Sequence, residues 1–324
     1  MKWRGKRIGL VLGGGGVRGF SHIGVLKLLE QENISPDIIV GSSAGALIGG
    51  AYASGASPKE IEARVDAYLN SPEFKSSSLR SIGLTMTPYD RTAWENIRKF
   101  ITQRYYTFRG LFKPAVVSVK DFQSLVNYFI PDMDLRDARI PFHAVATDLI
   151  TGEKVVISDG SLRQAVLASC AVPGAVEPVR LGEWLLADGG ITSLIPVQVA
   201  RQKGADVVIA VVVGRQLDMQ GTFETAQDVF FRAGEITSDK LEQIELREAD
   251  VVIRPNVGDL HWMDFKRGKN LIREGETAAR EALDRIYGAL PLYKRLMRFT
   301  SRFKTRKDKI TNTDAANPST PPAR

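Results

Sequence analysis

A serine set between glycines, Gly41-Ser42-Ser43-Ala44-Gly45, is the first place in the chain where residue types and spacing allow chemistry. It follows a strand signal at 37–40, Asp37 and then Ile38-Ile39-Val40, and precedes a stretch of small and apolar residues ending near Gly55. That setting reads as strand, turn, helix. A serine at such a corner occupies a tight, strained turn that exposes its hydroxyl, and Gly41 and Gly45 let the backbone turn without side-chain clashes. The helix behind it would aim its positive dipole end at the reacting centre. The chemistry implied is nucleophilic attack by Ser43, against the plain alternative of a helix-capping serine.

A second cluster, Gly13-Gly14-Gly15-Gly16-Val17-Arg18-Gly19, also lies between a strand signal and a helix signal. Consecutive glycines let several backbone N–H groups converge on a negative oxygen, which a tetrahedral acyl-transfer intermediate requires. Gly14, Gly16 and Gly19 also match the G-x-G-x-x-G of dinucleotide sites, but that reading needs an acidic residue at the end of the second strand. Here the strand ends Ile39-Val40-Gly41, and no lysine completes a phosphate-binding P-loop.

A serine hydroxyl needs a base. Of the three histidines, His22 falls in the first helix and His143 in a strand among apolar neighbours. His261 follows Asp188, so Ser43, Asp188 and His261 stand in the chain order of an α/β-hydrolase triad. Against that triad, Ser43 follows only the second strand. The other candidate is Asp188 itself, at a strand end in Asp188-Gly189-Gly190, where a desolvated carboxylate can take the serine proton directly. A turn aspartate capping its own loop is the alternative there.

The elements that must position these residues alternate along the chain, which predicts an α/β layer architecture around a largely parallel sheet. Strands are expected at 7–12, 37–40, 141–147, 154–157, 184–187, 206–213 and 250–254. Helices are expected at 20–32, from the serine corner to about 55, and at 161–169, 195–202, 223–247 and 267–287. Gly49 and Gly50 would each cost their helix about 1 kcal/mol against alanine, so close packing on the sheet is expected there. Residues 57–137 form a less regular insertion, with helical periodicity at 61–69, 94–104 and 122–129, suited to shaping a substrate entrance.

The glycine loop with Arg18 and Gly19, the Gly41–Gly45 corner and the Asp188-Gly189-Gly190 turn, in this order and spacing, resemble the patatin-like phospholipase family, especially its bacterial members. The resemblance runs over about 7–214 and includes Val145-Ala146-Thr147-Asp148 and Ala168-Ser169-Cys170-Ala171-Val172-Pro173-Gly174. It implies a three-layer α/β/α fold and a Ser43–Asp188 dyad with no catalytic histidine. It also implies an oxyanion hole from the backbone around Gly14, Gly15, Gly16 and Arg18. The implied activity is cleavage of lipid acyl esters through an acyl-enzyme, with no metal or organic cofactor. A regulatory or adaptor protein binding an acyl group on the same fold is the other reading. Cys170 stands where similar sequences often carry serine.

Composition agrees with a folded protein: 324 residues, 44% hydrophobic and 25% charged. The single cysteine excludes an intramolecular disulfide and a thiolate zinc site. The basic start and the apolar run at 8–12 are too short for a signal-peptide core of ~7–15 residues, and no run reaches the ~18–20 residues of a membrane span. A cytoplasmic protein, peripheral to a membrane, is expected. A net charge of +7 and a pI near 9.4 favour anionic surfaces. No zinc-finger or RNA-binding signature accompanies the charge, so nucleic acid is not expected as a partner. The expected domain spans 1–290. At 291–310, Leu292, Leu296, Phe299 and Phe303 recur at helical spacing among lysines and arginines, which predicts a basic amphipathic helix able to touch anionic membrane. A last helix packed on the body would show the same pattern. Residues 311–324 are too polar to bury anything and are expected to be disordered.

Overall fold

Short runs of aliphatic residues, buried on both faces, build the centre of the molecule, as parallel strands require. The computed structural model describes residues 6–81, 115–214, 217, 222–258, 260, 263–265 and 268–290. Strand β1 (Ile8–Leu12) is buried along its whole length and pairs in parallel with β2 (Ile38–Ser42) on one side and β7 (Val207–Val211) on the other. In parallel again, β2 pairs with β3 (Phe142–Asp148) and β7 with β8 (Val251–Ile253). Three antiparallel strands, β4 (Lys154–Ile157), β5 (Val179–Leu181) and β6 (Trp184–Asp188), complete an eight-stranded mixed sheet.

Alternate side chains of the strands enter two separate cores. Leu10 and Leu12 join the larger one, with α1 (Ser21–Gln31), α2 (Ala44–Ala53), α3 (Pro58–Asn70), α5 (Val119–Phe129) and α6 (Leu162–Ser169). A short helix α4 (Pro72–Ser76) contributes Phe74 to the same side. Val11, Val40, Val145 and Val208 face the smaller core, closed by Ile195 and α7 (Val197–Gln202). The protein is therefore a three-layer α/β/α fold with a mostly parallel sheet, as expected. In α2, Gly49 lies against Ile39 and Phe142 of the sheet, as anticipated, and Gly50 lies between Phe142 and Val166 of α6.

The register around β3 decides where the chemistry-bearing residues meet. Ala144 and Val145 pair with both β2 and β4, so those strands lie on opposite edges of β3. Ala146 and Thr147 pair with both β4 and β6, so β6 is also opposite β4. Strands β2 and β6 thus share one edge of β3, end to end. Ser42 is the partner of Val145, and Asp188 is the partner of the next residue, Ala146.

Some boundaries differ from the sequence reading. Strand β5 was not expected, because three residues carry too little periodicity to be seen; Gly182, at φ 60°, makes the turn from it into β6. The long helix at 223–247 is α8 (Ala226–Glu245), and the expected helix at 267–287 is two, α9 (Gly268–Glu281) and α10 (Leu283–Ala289). The helix expected at 94–104, the basic segment 291–310 and the tail 311–324 lie outside the described residues. Among the described residues no helix is long and apolar enough to cross a membrane.

Helix α9 crosses α1 at backbone contact. A Cβ on Gly24 would lie 1.8 Å from the Ile272 carbonyl oxygen, and one on Gly275 would lie 1.9 Å from that of Ser21. Neither clash involves a side chain that could move aside. Gly24→Ala should therefore lower the unfolding free energy by about 1–3 kcal/mol in urea titrations. Gly234→Ala, mid-helix in α8 with nothing within 4 Å, should instead be neutral or raise it by up to about 1 kcal/mol.

Candidate active site

Ser43 sits at the end of β2 with φ 53° and ψ −124°, a left-handed conformation that only Asn33 otherwise shares among the described non-glycine residues. Such strain costs on the order of 1–3 kcal/mol and persists only where the surroundings over-determine it. They do so here through every polar group of the residue. The Ser43 N–H donates to Ser169 Oγ at 3.0 Å, and that hydroxyl donates onward to the Val145 carbonyl at 2.6 Å. The Ser43 carbonyl accepts from Ala46 and Leu47 N–H, the opening bonds of α2, and from Cys170 Sγ at 2.9 Å. Gly45 is required by proximity: a Cβ there would lie 1.9 Å from the Leu12 carbonyl oxygen. Gly41 is pressed on Ala46, and Gly19 on Ala44, in the same way.

The Ser43 hydroxyl donates to Asp188 Oδ2 at 2.6 Å. The other carboxylate oxygen accepts from Gly190 N–H at 2.7 Å. Backbone bonds fix the residue: its N–H donates to Ala171 O, and its carbonyl accepts from Thr147 Oγ1. Gly189 packs on the Val145 carbonyl with no room for a side chain, so Asp188-Gly189-Gly190 can turn directly under the serine corner. Asp188 is 6% exposed. Burial pushes its carboxyl up to about 6, against the opposing pull of the Ser43 and Gly190 hydrogen bonds.

The glycine loop leaves β1 beside this pair. Gly13 N–H donates to Val211 O and Gly14 N–H to Leu194 O, each at 3.1 Å. Gly14 was expected among the oxyanion donors, but its N–H is engaged in holding the loop. A Cβ on Gly14 would lie 3.1 Å from Ser43 Cβ, which places the loop directly against the serine. Gly15 and Gly16 follow and open a short 3₁₀ helix, Gly16–Phe20, whose first N–H groups have no carbonyl one turn back to reach. Arg18 turns its Nε onto the Gly15 carbonyl at 3.0 Å, so its side chain braces the loop.

Several residues that support the site carried no usable signal in the sequence. His22 is fully buried and, with its pKa lowered to about 4 by burial, is neutral; its Nε2–H donates to the Gly13 carbonyl at 2.8 Å. Glu245 of α8 bonds Ser193 Oγ and accepts from Ile195 N–H at 2.8 Å, gripping both sides of the Leu194 that holds Gly14. Ser193 N–H in turn donates to the Gly189 carbonyl. A serine in a loop between Thr192 and Leu194 and a glutamate late in a long helix look like ordinary structure until the fold brings them here. His143 pairs with Val40 in the sheet, two residues before Ser42, and bonds Ser158 Oγ rather than the serine corner. His261 lies outside the described residues. Among those residues, no group of three or more histidine, cysteine or acidic side chains is arranged to hold a metal ion.

All of these elements converge at the carboxyl ends of β1 and β2, beside the point where the chain reverses across β1 from β2 to β7, the usual ligand crevice of an open parallel sheet. A mostly parallel sheet in a three-layer fold, carrying a Gly-x-Ser-x-Gly corner at that crevice, defines a class, the patatin-like proteins. The family model described as Patatin-like phospholipase matches residues 10–201, and the chain belongs to that family.

Patatin-like phospholipase domain-containing protein 6 of Homo sapiens is 33% identical over 215 residues, 65% of this chain and 14% of that protein. An uncharacterized NTE family protein of Mycobacterium tuberculosis is 31% identical over 210 residues, 63% of this chain and 48% of the relative. The matched stretch thus spans about a seventh of the mammalian protein and about half of the mycobacterial one. The crystal structure of VipD from Legionella pneumophila aligns with 86% of this chain and 67% of its own at 16% identity, with a TM-score of 0.49.

Two stability measurements test this geometry. Ser169→Ala strands the Ser43 N–H and the Val145 carbonyl, and should cost about 1–3 kcal/mol in urea unfolding. Asp188 has a higher pKa folded, about 6, than its ordinary 3.8, so the folded state binds its proton more tightly. Its contribution is full below the ordinary value and is lost as pH rises through about 6. The loss amounts to about 3 kcal/mol. Asp188→Asn should therefore be more stable than wild type well above pH 6, with the advantage shrinking in acid.

Proposed function

We propose that the protein hydrolyses lipid acyl esters, with Ser43 as nucleophile and Asp188 as its base. The observation that carries this reading is the 2.6 Å bond from the Ser43 hydroxyl to a buried carboxylate whose proton affinity is raised toward neutrality. Ser43 Oγ attacks the acyl carbonyl carbon while its proton passes to Asp188 Oδ2. The negative charge that develops on the carbonyl oxygen is met by N–H groups of Gly15 and Gly16, the donors left free when Gly14 binds Leu194. Collapse of the tetrahedral intermediate breaks the ester bond, and the departing alcohol takes the proton from Asp188. Water then gives its proton to Asp188, attacks the acyl-serine, and releases the fatty acid and the serine hydroxyl. Family membership supports a lipid substrate, and the burial of Asp188 supplies the desolvation that its basicity requires.

Hydrolysis of a short-chain p-nitrophenyl ester and of a lysophospholipid tests the assignment. Ser43→Ala should abolish turnover, Asp188→Asn should lower kcat by about 10²- to 10⁴-fold, and His261→Ala should leave it intact. Loss of activity in His261→Ala with the fold preserved would replace the dyad with a triad. Full activity in Ser43→Ala would remove the site from the reaction, and an inactive wild type that still binds fatty acid would favour an acyl-binding role. In the wild type, kcat/KM should fall on the acid side with an apparent pKa near 6, as Asp188 becomes protonated and can no longer accept the proton.

A further inference from the structure

Exposed large apolar side chains among the described residues gather mainly in two places. One is helix α8, where nothing shows what would cover them. The other is a pair of hairpin tips just beyond the carboxyl end of β3. The β3–β4 turn presents Leu149, 47% exposed, and Ile150, 62% exposed; Trp184, the first residue of β6 after its turn from β5, is 46% exposed. The two tips are fastened side by side. Leu149 N–H donates to Leu185 O at 2.8 Å, and Asp148, buried between them, accepts from Leu185 and Ile150 N–H with Oδ1 and from Thr151 with Oδ2. A buried carboxylate satisfied from both turns makes the tips one preformed unit.

We propose that these tips dock the protein on a phospholipid bilayer, with Leu149, Ile150 and Trp184 entering the boundary between headgroups and acyl chains. The occupant follows from shape, composition and place. The apolar residues stand on convex turns, which a fluid layer accommodates without a complementary pocket. An aliphatic pair beside a tryptophan suits that boundary, where an indole keeps its ring in the apolar zone and its N–H near water. The charged neighbours Glu153, Lys154, Arg180 and Glu183 balance in sign, so the attraction is apolar rather than electrostatic. Strand β6 runs straight from Trp184 to Asp188, a span of about 13 Å at the usual rise per residue. Docked tips would hold the dyad close to the ester layer. This inference rests on the lipid-ester reading for its purpose, though not for its measurement.

Co-sedimentation of the full chain with phosphatidylcholine vesicles tests it without turnover. Wild type and Ser43→Ala should bind equally, and binding should hold from low to high salt. Leu149→Ser, Ile150→Ser and Trp184→Ser should each weaken it on the order of tenfold. Trp184→Phe should retain it, and all tip variants should keep wild-type hydrolysis of a soluble p-nitrophenyl ester and wild-type thermal unfolding. Vesicle binding unchanged in the serine variants, or absent from the wild type, would overturn the proposal. So would loss of self-association in those variants without loss of vesicle binding, which would assign the tips to a second copy. If the tips govern binding while wild type cleaves neither ester, the hydrolase reading fails and the docking surface stands.

Discussion

The hydrogen bond between Ser43 and Asp188 joins residues far apart in sequence, and the arrangement of the sheet is what makes it possible. Strand β3 offers one edge to two partners in succession, first β2 running parallel and then β6 running antiparallel. Because the second begins where the first stops, the loop leaving β2 and the turn leaving β6 meet at adjacent rungs of the same ladder. Asp188 then arrives as the last residue of β6 and Ser43 directly after the last residue of β2, so both side chains are held by strand ends. The cost is a carboxylate out of water and a non-glycine residue at positive φ. The Ser43 and Asp188 N–H groups, donating to Ser169 Oγ and Ala171 O, and the Asp188 carbonyl, accepting from Thr147 Oγ1, offset both locally.

A similar division of labour runs through the glycine loop. Its first two N–H groups are consumed by Val211 and Leu194, and this consumption orients the next two. Neutral His22 secures the Gly13 carbonyl from beneath, and Glu245 secures the residues on either side of Leu194. The loop is thus preorganised by groups that never face the crevice, and preorganisation is the property an anion-stabilising site depends on.

Much of this was legible in the sequence, because the three glycine-flanked motifs declare local geometry. Gly41–Gly45 specifies a corner, the glycine loop a close backbone approach, and Asp188-Gly189-Gly190 a tight turn at a strand end. The runs at 8–12, 38–40 and 207–211 announce buried parallel strands by their aliphatic character. What was not legible depends on contacts across long separations. Local pattern does not reveal that Gly14 N–H is occupied, that His22 caps a carbonyl, or that Glu245 reaches back to Ser193. Nor could it choose between His261 and Asp188 as base without the family likeness, since chain order admits both. Strand β5 was missed because its stability comes from its neighbour β6 and not from its own three residues.

The match to the family ends at residue 201, yet the cooperative unit does not. Strand β7 lies beyond that limit, hydrogen-bonded along the whole of β1, and its Val211 carbonyl anchors Gly13. Helix α9, further on, is locked into α1 by reciprocal glycines. A fragment cut at residue 201 would convert the fully buried strand β1 into an open edge, with a row of unpaired amides next to the glycine loop. The stretch that the family model matches and the stretch that can hold its own shape are different lengths of polypeptide, and expression boundaries drawn from the first would yield an aggregating product.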